Sequence, residues 1–223
     1  MPGTSEQEAE QLLRRGLELL GLPLADGPVA QLVRYCLELE KWNRKVNLIA
    51  KNTPLPEIID KHFLDSLTLV PILDRLLPKG GTLLDVGSGA GFPGLPVKIA
   101  RPSSWQITLL EPRERRVIFL RHVIRTLAVT RIAVEPSRIE EGRVTGEYQL
   151  ITGRAVADVP SFLIMVEILA TSKTYVICMQ GEGGRQGLGQ GDRVGAFICV
   201  GVEETRLPFS RAPRFLLLFR RAD

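Results

Sequence analysis

The chain has 223 residues, of which 44% are hydrophobic and 24% charged, and its formal net charge is +4. This length and composition allow one full hydrophobic core, which excludes a disordered or fibrous protein and indicates one ordinary domain with room for a small annex. The weak positive charge permits a polyanionic partner such as RNA without requiring one.

Cysteine and histidine are scarce and scattered. Cys36, Cys178 and Cys199 are far apart in the sequence, and only His62 and His122 could supply imidazole ligands. This pattern indicates a reducing compartment and argues against a disulfide framework or a metal site. The polar, acidic N-terminal segment does not resemble a signal peptide, and no apolar run approaches the roughly 20 residues that span a bilayer. We therefore expect a cytoplasmic protein with no bound metal and no membrane contact.

The first third of the sequence predicts helices. Apolar residues recur at helical spacing from Leu12 to Leu20, from Val29 to Trp42 and from Phe63 to Val70. From Gly80 onward the pattern changes to short apolar runs that alternate with helical segments. We predict a helical extension over residues 1–78 that packs on a core domain over residues 79–223.

The core domain predicts an α/β fold. The seven predicted strands cover residues 82–86, 106–111, 131–135, 148–152, 174–179, 194–200 and 214–219, and the predicted helices cover 93–100, 113–127 and 160–170. Strands that alternate with helices form βαβ units, so we expect a mostly parallel sheet with helices on both faces. The last two strands have no intervening helix and are expected to close the sheet as an antiparallel pair.

The segment Asp85-Val86-Gly87-Ser88-Gly89-Ala90-Gly91-Phe92-Pro93-Gly94 carries the strongest functional signal. An apolar strand ends in an acid, passes through alternating glycines and opens a helix. Glycines permit positive φ angles and close approach of a ligand to the backbone. In α/β sheets the first strand-to-helix turn lies at the carboxyl edge, where ligands bind. We call this segment the glycine turn.

Three interpretations of the glycine turn compete. Residues 89–94 match the dinucleotide pattern G-x-G-x-x-G, with Glu111 about where a ribose-binding acid would lie. However, Pro93 has no N–H to donate to a pyrophosphate, and Asp85 would bring negative charge close to it. S-adenosylmethionine has no phosphate, its ammonium suits a nearby acid, and Glu111 can accept hydrogen bonds from both ribose hydroxyls. The residues therefore favour this methyl donor, with an NAD-type cofactor and a purely structural turn as alternatives.

Three further segments accompany the glycine turn: Trp42-Asn43-Arg44-Lys45-Val46-Asn47-Leu48, Lys61-His62-Phe63-Leu64-Asp65-Ser66 and Arg154-Ala155-Val156-Ala157. Together the four segments resemble the bacterial guanine-N7 methyltransferases of small-subunit ribosomal RNA, the family first named glucose-inhibited division protein B. The resemblance runs from about residue 42 to 170, and it departs at Gln180-Gly181, where the family usually has Lys-Gly. It implies a class I, Rossmann-like methyltransferase with a mostly parallel seven-stranded sheet and S-adenosylmethionine as the donor.

The resemblance also implies a donor pocket. It assigns to this pocket Gly87, Phe92, Glu111, Ile139, Glu140 and Arg154, and the glycine turn itself adds Asp85, Ser88, Gly89 and Gly91. Ile139 suits packing on the adenine face. Without the family, Glu140 beside Glu141 would be more readily interpreted as a solvated acid. Arg154 follows a predicted strand at its carboxyl end, where a long cation is more often functional than structural.

His62 and Asp65 suggest an acid–base pair, although they are equally consistent with two neighbours on one helix face. Guanine N7 has an in-plane lone pair and no proton, so its methylation needs no general base. Catalysis then depends on holding N7, the methyl carbon and the sulfur in line. We therefore predict that His62, Asp65 and Arg154 orient the reactants or bind RNA and do not carry protons.

The implied substrate is 16S ribosomal RNA or the small ribosomal subunit, and we expect the enzyme to act as a monomer. Reaching N7 in folded RNA requires an unstacked base, since the A-form major groove is too narrow for side chains. Basic residues would hold the RNA backbone. The candidates, each of which is alternatively a solvated surface charge, are Arg44, Lys45, Lys61, Arg113, Arg115 and Arg116.

Two other functions stay open at this point. One is a class I methyltransferase that acts on a small molecule or a protein, which would transfer methyl groups without RNA. The other is a non-catalytic module that binds nucleotides or RNA, for which a degraded donor pocket is expected. The intact Asp85, Gly87, Gly89, Gly91 and Glu111 argue against the second.

Overall fold

The computed structural model describes residues 4–184 and 187–222. Residues 1–3, 185, 186 and 223, which include the outer ends of the predicted extension and core domain, lie outside the described part. The chain begins with the helices Thr4–Leu19 (α1), Asp26–Asn43 (α2), Leu55–Ile58 (α3), Asp65–Leu67 (α4) and Val70–Leu76 (α5), and Ile59–Leu64 between α3 and α4 is a π-helix.

A single sheet follows these helices. Its strands are Gly81–Val86 (β1), Trp105–Leu110 (β2), Ile132–Glu135 (β3), Leu150–Arg154 (β4), Tyr175–Gln180 (β5), Arg193–Val194 (β6), Phe197–Arg206 (β7) and Pro213–Arg221 (β8). The helices Gly94–Ala100 (α6), Glu114–Thr126 (α7) and Val159–Val166 (α8) connect the early strands, and 3-10 turns lie at Ile139–Glu141 and Glu167–Leu169. Each of the seven predicted strands overlaps an observed one.

The strand order is β3-β2-β1-β4-β5-β8-β7-β6. Strands β1 to β5 are parallel, whereas β8 runs antiparallel to both β5 and β7, so the predicted antiparallel closure is confirmed. Because the chain moves outward in opposite directions from β1 and β4, these two strands flank the switch point where open α/β sheets bind ligands.

The described residues form eight strands, and the prediction of seven was wrong by one. The additional strand, β6, pairs only Arg193 with Ile198 and Val194 with Phe197. Gly195, at a φ of +56°, makes the tight turn between β6 and β7. Two residues are too few to produce an alternating hydrophobic pattern. The predicted strand over residues 194–200 therefore combined the end of β6 with the start of β7.

Helices cover both faces of the sheet, as predicted. Alternate strand residues point to opposite faces, so Leu83 joins one buried cluster and its neighbour Leu84 joins the other. The first cluster contains buried side chains of α1, α2, α6 and α7, and the second contains those of α8. The N-terminal helices therefore pack on the same face as α6 and α7, while the predicted boundary near residue 79 stays a prediction. Within the described residues, none of the helices has the length and hydrophobicity to cross a bilayer.

Candidate active site

The glycine turn leaves β1 at its carboxyl end and requires glycine at several positions. Gly87, Gly89 and Gly91 have φ angles of +67°, +60° and +103°, which L side chains rarely adopt. At Gly91 a Cβ atom would also lie 2.7 Å from the hydroxyl oxygen of Tyr35. That hydroxyl donates a hydrogen bond to the carbonyl oxygen of Ala90. Because Tyr35 is part of α2, this bond ties the turn to the helix.

The side chain of Asp85 lies beneath the turn. One carboxyl oxygen accepts a hydrogen bond of 2.8 Å from the Gly94 amide, and Oδ1 has no partner among the described residues. Burial raises the pKa of this carboxyl to about 7. We predicted that Asp85 would face the donor, but the structure places its side chain outside the lining of the cavities beside the turn. Gly94 is the first residue of α6, so the buried carboxyl of Asp85 holds the start of this helix against the turn.

A first cavity of about 340 Å³ lies over the carboxyl ends of β1 and β2. Glu111, which is almost fully buried, accepts hydrogen bonds of 2.9 Å from the amides of Gly89 and Arg113. The 3-10 turn after β3 brings buried Ile139 and exposed Glu140 to the opposite side. The cavity therefore combines a carboxylate with an apolar wall, as the sequence predicts for a nucleoside.

A second cavity, of about 200 Å³, lies on the other side of the glycine turn. It shares Gly87 and Ala155 with the first cavity, and it is also lined by Ser88, Gly89 and Phe92. The Ser88 hydroxyl donates a hydrogen bond of 2.8 Å to the carbonyl oxygen of Asp85 and fixes the start of the turn. Gly91 carries no side chain and lines neither cavity, so its contribution is to the shape of the turn.

A third cavity, of about 330 Å³, adjoins the second through His62, Arg154 and Ala155. In it, one nearly buried carboxylate faces two arginines. Asp65 accepts hydrogen bonds of 3.0 Å from Arg154 and from Arg214, each to a different oxygen. Each oxygen thus binds one guanidinium group, so Asp65 is a structural anchor for Arg154 and Arg214.

His62 is a neutral hydrogen-bond donor in this arrangement. Burial, together with the smaller effects of the Arg154 and Lys61 charges, lowers the pKa of His62 to about 3. Its Nδ1 lies 3.2 Å from an Arg154 nitrogen, and arginine can only donate, so the ring proton is on Nε2. The imidazole also stacks on Phe92, with 5.3 Å between the ring centroids. The structure thus brings His62, Asp65 and Arg154 together, as contacts of Arg154.

The predicted RNA-binding residues differ in their exposure and in their ion pairs. Arg44, Lys45, Lys61, Arg113 and Arg115 are exposed, and Lys61 pairs with Glu57 at 2.7 Å. Arg116 is different, because it is half-buried, lies 3.6 Å from the Glu111 carboxylate and lines both the first and the second cavity.

The residues of the site that sequence reasoning missed include Tyr35, Arg214 and, as a contact of the loop that follows it, Asn43. Arg214 reaches Asp65 across 149 positions of the chain. For Tyr35 and Arg214 no local pattern signals such contacts. Asn43 was within a recognised segment, but the residues around it do not show what its amide binds.

The cavities fit S-adenosylmethionine. The first cavity offers an apolar surface at Ile139 and Met165 for a purine and a carboxylate at Glu111 for ribose hydroxyls. Ser137, which also lines it, has a buried hydroxyl without a partner among the described residues. The polar second cavity, lined by the glycine turn, suits an amino acid.

The sequence matches one family of known proteins. Residues 29–214 match GidB, described as rRNA small subunit methyltransferase G. The Ribosomal RNA small subunit methyltransferase G of Desulfotalea psychrophila is 42% identical over 93% of this chain and 96% of its own length. The protein of the same name from Geobacter metallireducens is 39% identical over 98% of this chain and 99% of its own.

Solved structures resemble the fold at low sequence identity. A variant of MtNAS in complex with S-adenosylmethionine superposes with a TM-score of 0.59 at 15% identity, over 97% of this chain and 89% of that one. A ribosomal protein L11 methylase from Lactobacillus delbrueckii gives a TM-score of 0.51 at 15% identity, over 72% of this chain and 80% of that one. At these identities the likeness concerns the fold alone.

Proposed function

Because this chain belongs to the rRNA small subunit methyltransferase G family, we propose that it transfers a methyl group from S-adenosylmethionine to N7 of one guanine in 16S ribosomal RNA. The observation that carries this proposal is the row of three adjoining cavities along the carboxyl edge of the sheet. Such a row can hold a nucleoside, an amino acid and an acceptor base side by side.

The first two cavities would hold the donor. Glu111 would accept hydrogen bonds from the ribose, Ile139 would pack on the adenine, and Glu140 lies at the rim, where it can meet the purine edge. The glycine turn and Arg116 would enclose the methionine portion. When bound, S-adenosylmethionine supplies a methyl group activated by the positive sulfur that carries it.

The third cavity would hold the guanine, and its residues would act by orientation. N7 has no proton to lose, so none of these side chains needs to be a base. His62 can donate a hydrogen bond through Nε2, and Arg154 is fixed by Asp65 and by the Lys61 carbonyl oxygen, at 3.0 and 2.8 Å. Fixed donors of this kind align reactants and can contribute a large share of the rate enhancement.

Five exposed basic residues would hold the RNA backbone around an unstacked guanine: Arg44, Lys45, Lys61, Arg113 and Arg115. Binding of this kind depends on counterion release and weakens steeply with salt. We further propose that the protein acts as a monomer and that it does so in the cytoplasm. Size-exclusion chromatography of the purified protein with light scattering would report the mass of the species in solution.

The test is transfer of labelled methyl groups from S-adenosylmethionine to small subunits that lack their natural methylation, to naked 16S RNA and to transfer RNA. Cleavage selective for N7-methylguanine locates the label. We expect label at one 16S guanine, and for Glu111→Ala at least about tenfold weaker donor binding, since the variant removes charge-assisted contacts. Glu114→Ala, an exposed acid at the start of α7, is the matched control.

Label in a protein or a small molecule without RNA would favour the alternative methyltransferase. Donor binding without label in any ribosomal sample would overturn the RNA assignment.

A further inference from the structure

Apart from Arg44 and Lys45, the segment that links α2 to α3 has no part in the proposed function. It includes Asn43, the last residue of α2, and the loop Arg44–Ala50. The loop does not extend into solvent but folds back on the end of the helix. At its start, the amides of Lys45 and Val46 both donate to the carbonyl oxygen of Trp42 at 2.9 Å.

The Asn43 side chain fastens the other end of this loop. Its carbonyl oxygen accepts hydrogen bonds from the amides of Leu48 and Ile49, at 2.9 and 3.0 Å. Its amide nitrogen donates to the carbonyl oxygen of Ala50 at 3.3 Å. One side chain thus holds three consecutive residues, which fixes the direction in which Leu48 and Ile49 point.

Leu48 and Ile49 line the second cavity, opposite the glycine turn. Leu48 is only 5% exposed and belongs to the same buried cluster as α2. The cavity therefore has one wall made of glycine backbone and another made of two aliphatic side chains. The second wall is held by the Asn43 side chain, by a hydrogen bond from the Leu48 amide to the Val46 carbonyl oxygen, and by the burial of Leu48. The Asn43 side chain is the contact among these that also holds Ile49.

We propose that Asn43 is a positioning residue for the methyl donor, because it holds Leu48 and Ile49 as the wall that packs on the methionine portion. This inference rests on the proposed function, since it takes the second cavity as the methionine site. Asn43 itself does not touch the donor. Its effect reaches the donor through Leu48 and Ile49, so it should alter donor affinity more than the rate at saturating donor.

The test measures S-adenosylmethionine binding by calorimetry for the wild type, Asn43→Ala, Leu48→Ala and the double variant. Asn43→Ala is expected to raise the donor Kd about tenfold, because it removes two part-buried hydrogen bonds and one exposed one that hold the loop. It should raise the KM for the donor similarly and leave kcat with ribosomal substrate within about twofold. Because Asn43 and Leu48 act on one wall, the increase in donor Kd of the double variant should be smaller than the product of the increases in the two single variants.

Gln31→Ala is the matched control. Gln31 lies on the same helix and donates one hydrogen bond of 2.9 Å to the Leu127 carbonyl oxygen, away from the cavities. It should lower the melting temperature without changing the donor Kd. The proposal is overturned if Asn43→Ala lowers the melting temperature but binds the donor as the wild type does. If Asn43→Ala does not fold, Leu48→Ala tests the wall directly, because it shortens the wall and leaves the Asn43 hydrogen bonds in place. An unchanged donor Kd in Leu48→Ala would then overturn the proposal. Failure of the wild type to bind the donor would instead remove the proposed function, and this inference with it.

Discussion

His62 illustrates how neighbours decide the role of a residue. A histidine next to an aspartate suggests proton transfer, yet here both oxygens of Asp65 accept from arginines and Arg154 donates to the imidazole. The ring is left with one outward proton and no tendency to gain another. This arrangement suits a reaction in which the acceptor nitrogen has no proton to release.

The low pKa of His62 predicts a specific dependence of stability on pH. In the unfolded chain the imidazole takes up a proton as the pH falls through its ordinary value of 6.5, whereas in the folded chain it stays neutral to about pH 3. Between these values the unfolded state binds more protons, so the free energy of unfolding falls with decreasing pH, by at most about 1.4 kcal/mol per pH unit. The contribution is complete above pH 6.5.

His62→Gln cannot titrate and should lack this slope. We expect the free energy of unfolding of the wild type minus that of the variant, measured in urea, to decrease steadily from pH 6.5 to 4. A difference that stays constant with pH would show that the imidazole is not held neutral. The same neutrality predicts that His62 adds no inflection to the wild-type methyl-transfer rate between pH 6 and 8.

Several of the predicted side chains line the cavities, but the sequence did not show how they are held. Glu111, Ile139 and Arg154 follow strands, and parallel strands bring their carboxyl ends together, so their proximity could be predicted. Arg214 could not, because it lies on the late antiparallel strand and only the sheet order β5-β8 carries it to Asp65. Asp85 was assigned to the donor because the sequence cannot show that its side chain turns under the strand end.

At the scale of elements, predictions succeeded where the hydrophobic pattern was long enough. The parallel strands and α7 have clear periods, and their predicted ranges differ from the observed ones by one or two residues. The π-helix Ile59–Leu64 was missed, since its wider turn leaves too short a pattern to detect. In this π-helix Asp60 binds the turn between β7 and β8, and His62 contacts Arg154. Single π-turns of this kind are frequent at functional sites.

Helix α2 supports the glycine turn through one hydroxyl, and this contact can be tested alone. Tyr35→Phe keeps the ring against Phe63 and Phe92, at centroid distances of 4.9 and 5.4 Å, but leaves the buried Ala90 carbonyl without its donor. We expect the free energy of unfolding to fall by about 1–3 kcal/mol. The donor Kd should rise several-fold because the turn loosens.

The control for this variant is Tyr148→Phe, whose hydroxyl makes a weak contact of 3.5 Å with Thr108. Urea unfolding and calorimetry would measure both effects. Equal donor affinity in Tyr35→Phe and wild type would mean that α2 only stabilises the fold.

At the scale of the whole molecule, Asp60 joins the π-helix to the turn between β7 and β8. Its two oxygens accept hydrogen bonds of 3.0 Å from the amides of Phe209 and Ser210, in the turn between β7 and β8. The carboxylate is 2% exposed, so these bonds are shielded from water. They fix the strand that carries Arg214 against the π-helix that carries His62.

Asp60→Ala should therefore disturb the third cavity and spare the first. We expect a loss of about 1.5–3 kcal/mol in the free energy of unfolding, typical of hydrogen bonds to a charged group. Methyl transfer to ribosomal RNA should fall while the donor Kd stays within about twofold, as calorimetry would report. Asp192→Ala, which removes an exposed contact to the Gly189 amide, should leave both unchanged. A loss of donor binding equal to the loss of activity would contradict this division.

The link between Asp65 and Arg214 also orders events during protein synthesis. The first cavity is lined by residues between Val86 and Met165, so a growing chain has made all of it before β5 begins. The third cavity needs Arg214, which is translated after every residue that lines the first. A growing chain that has not yet reached β8 accordingly holds every residue that lines the first cavity but lacks one that lines the third.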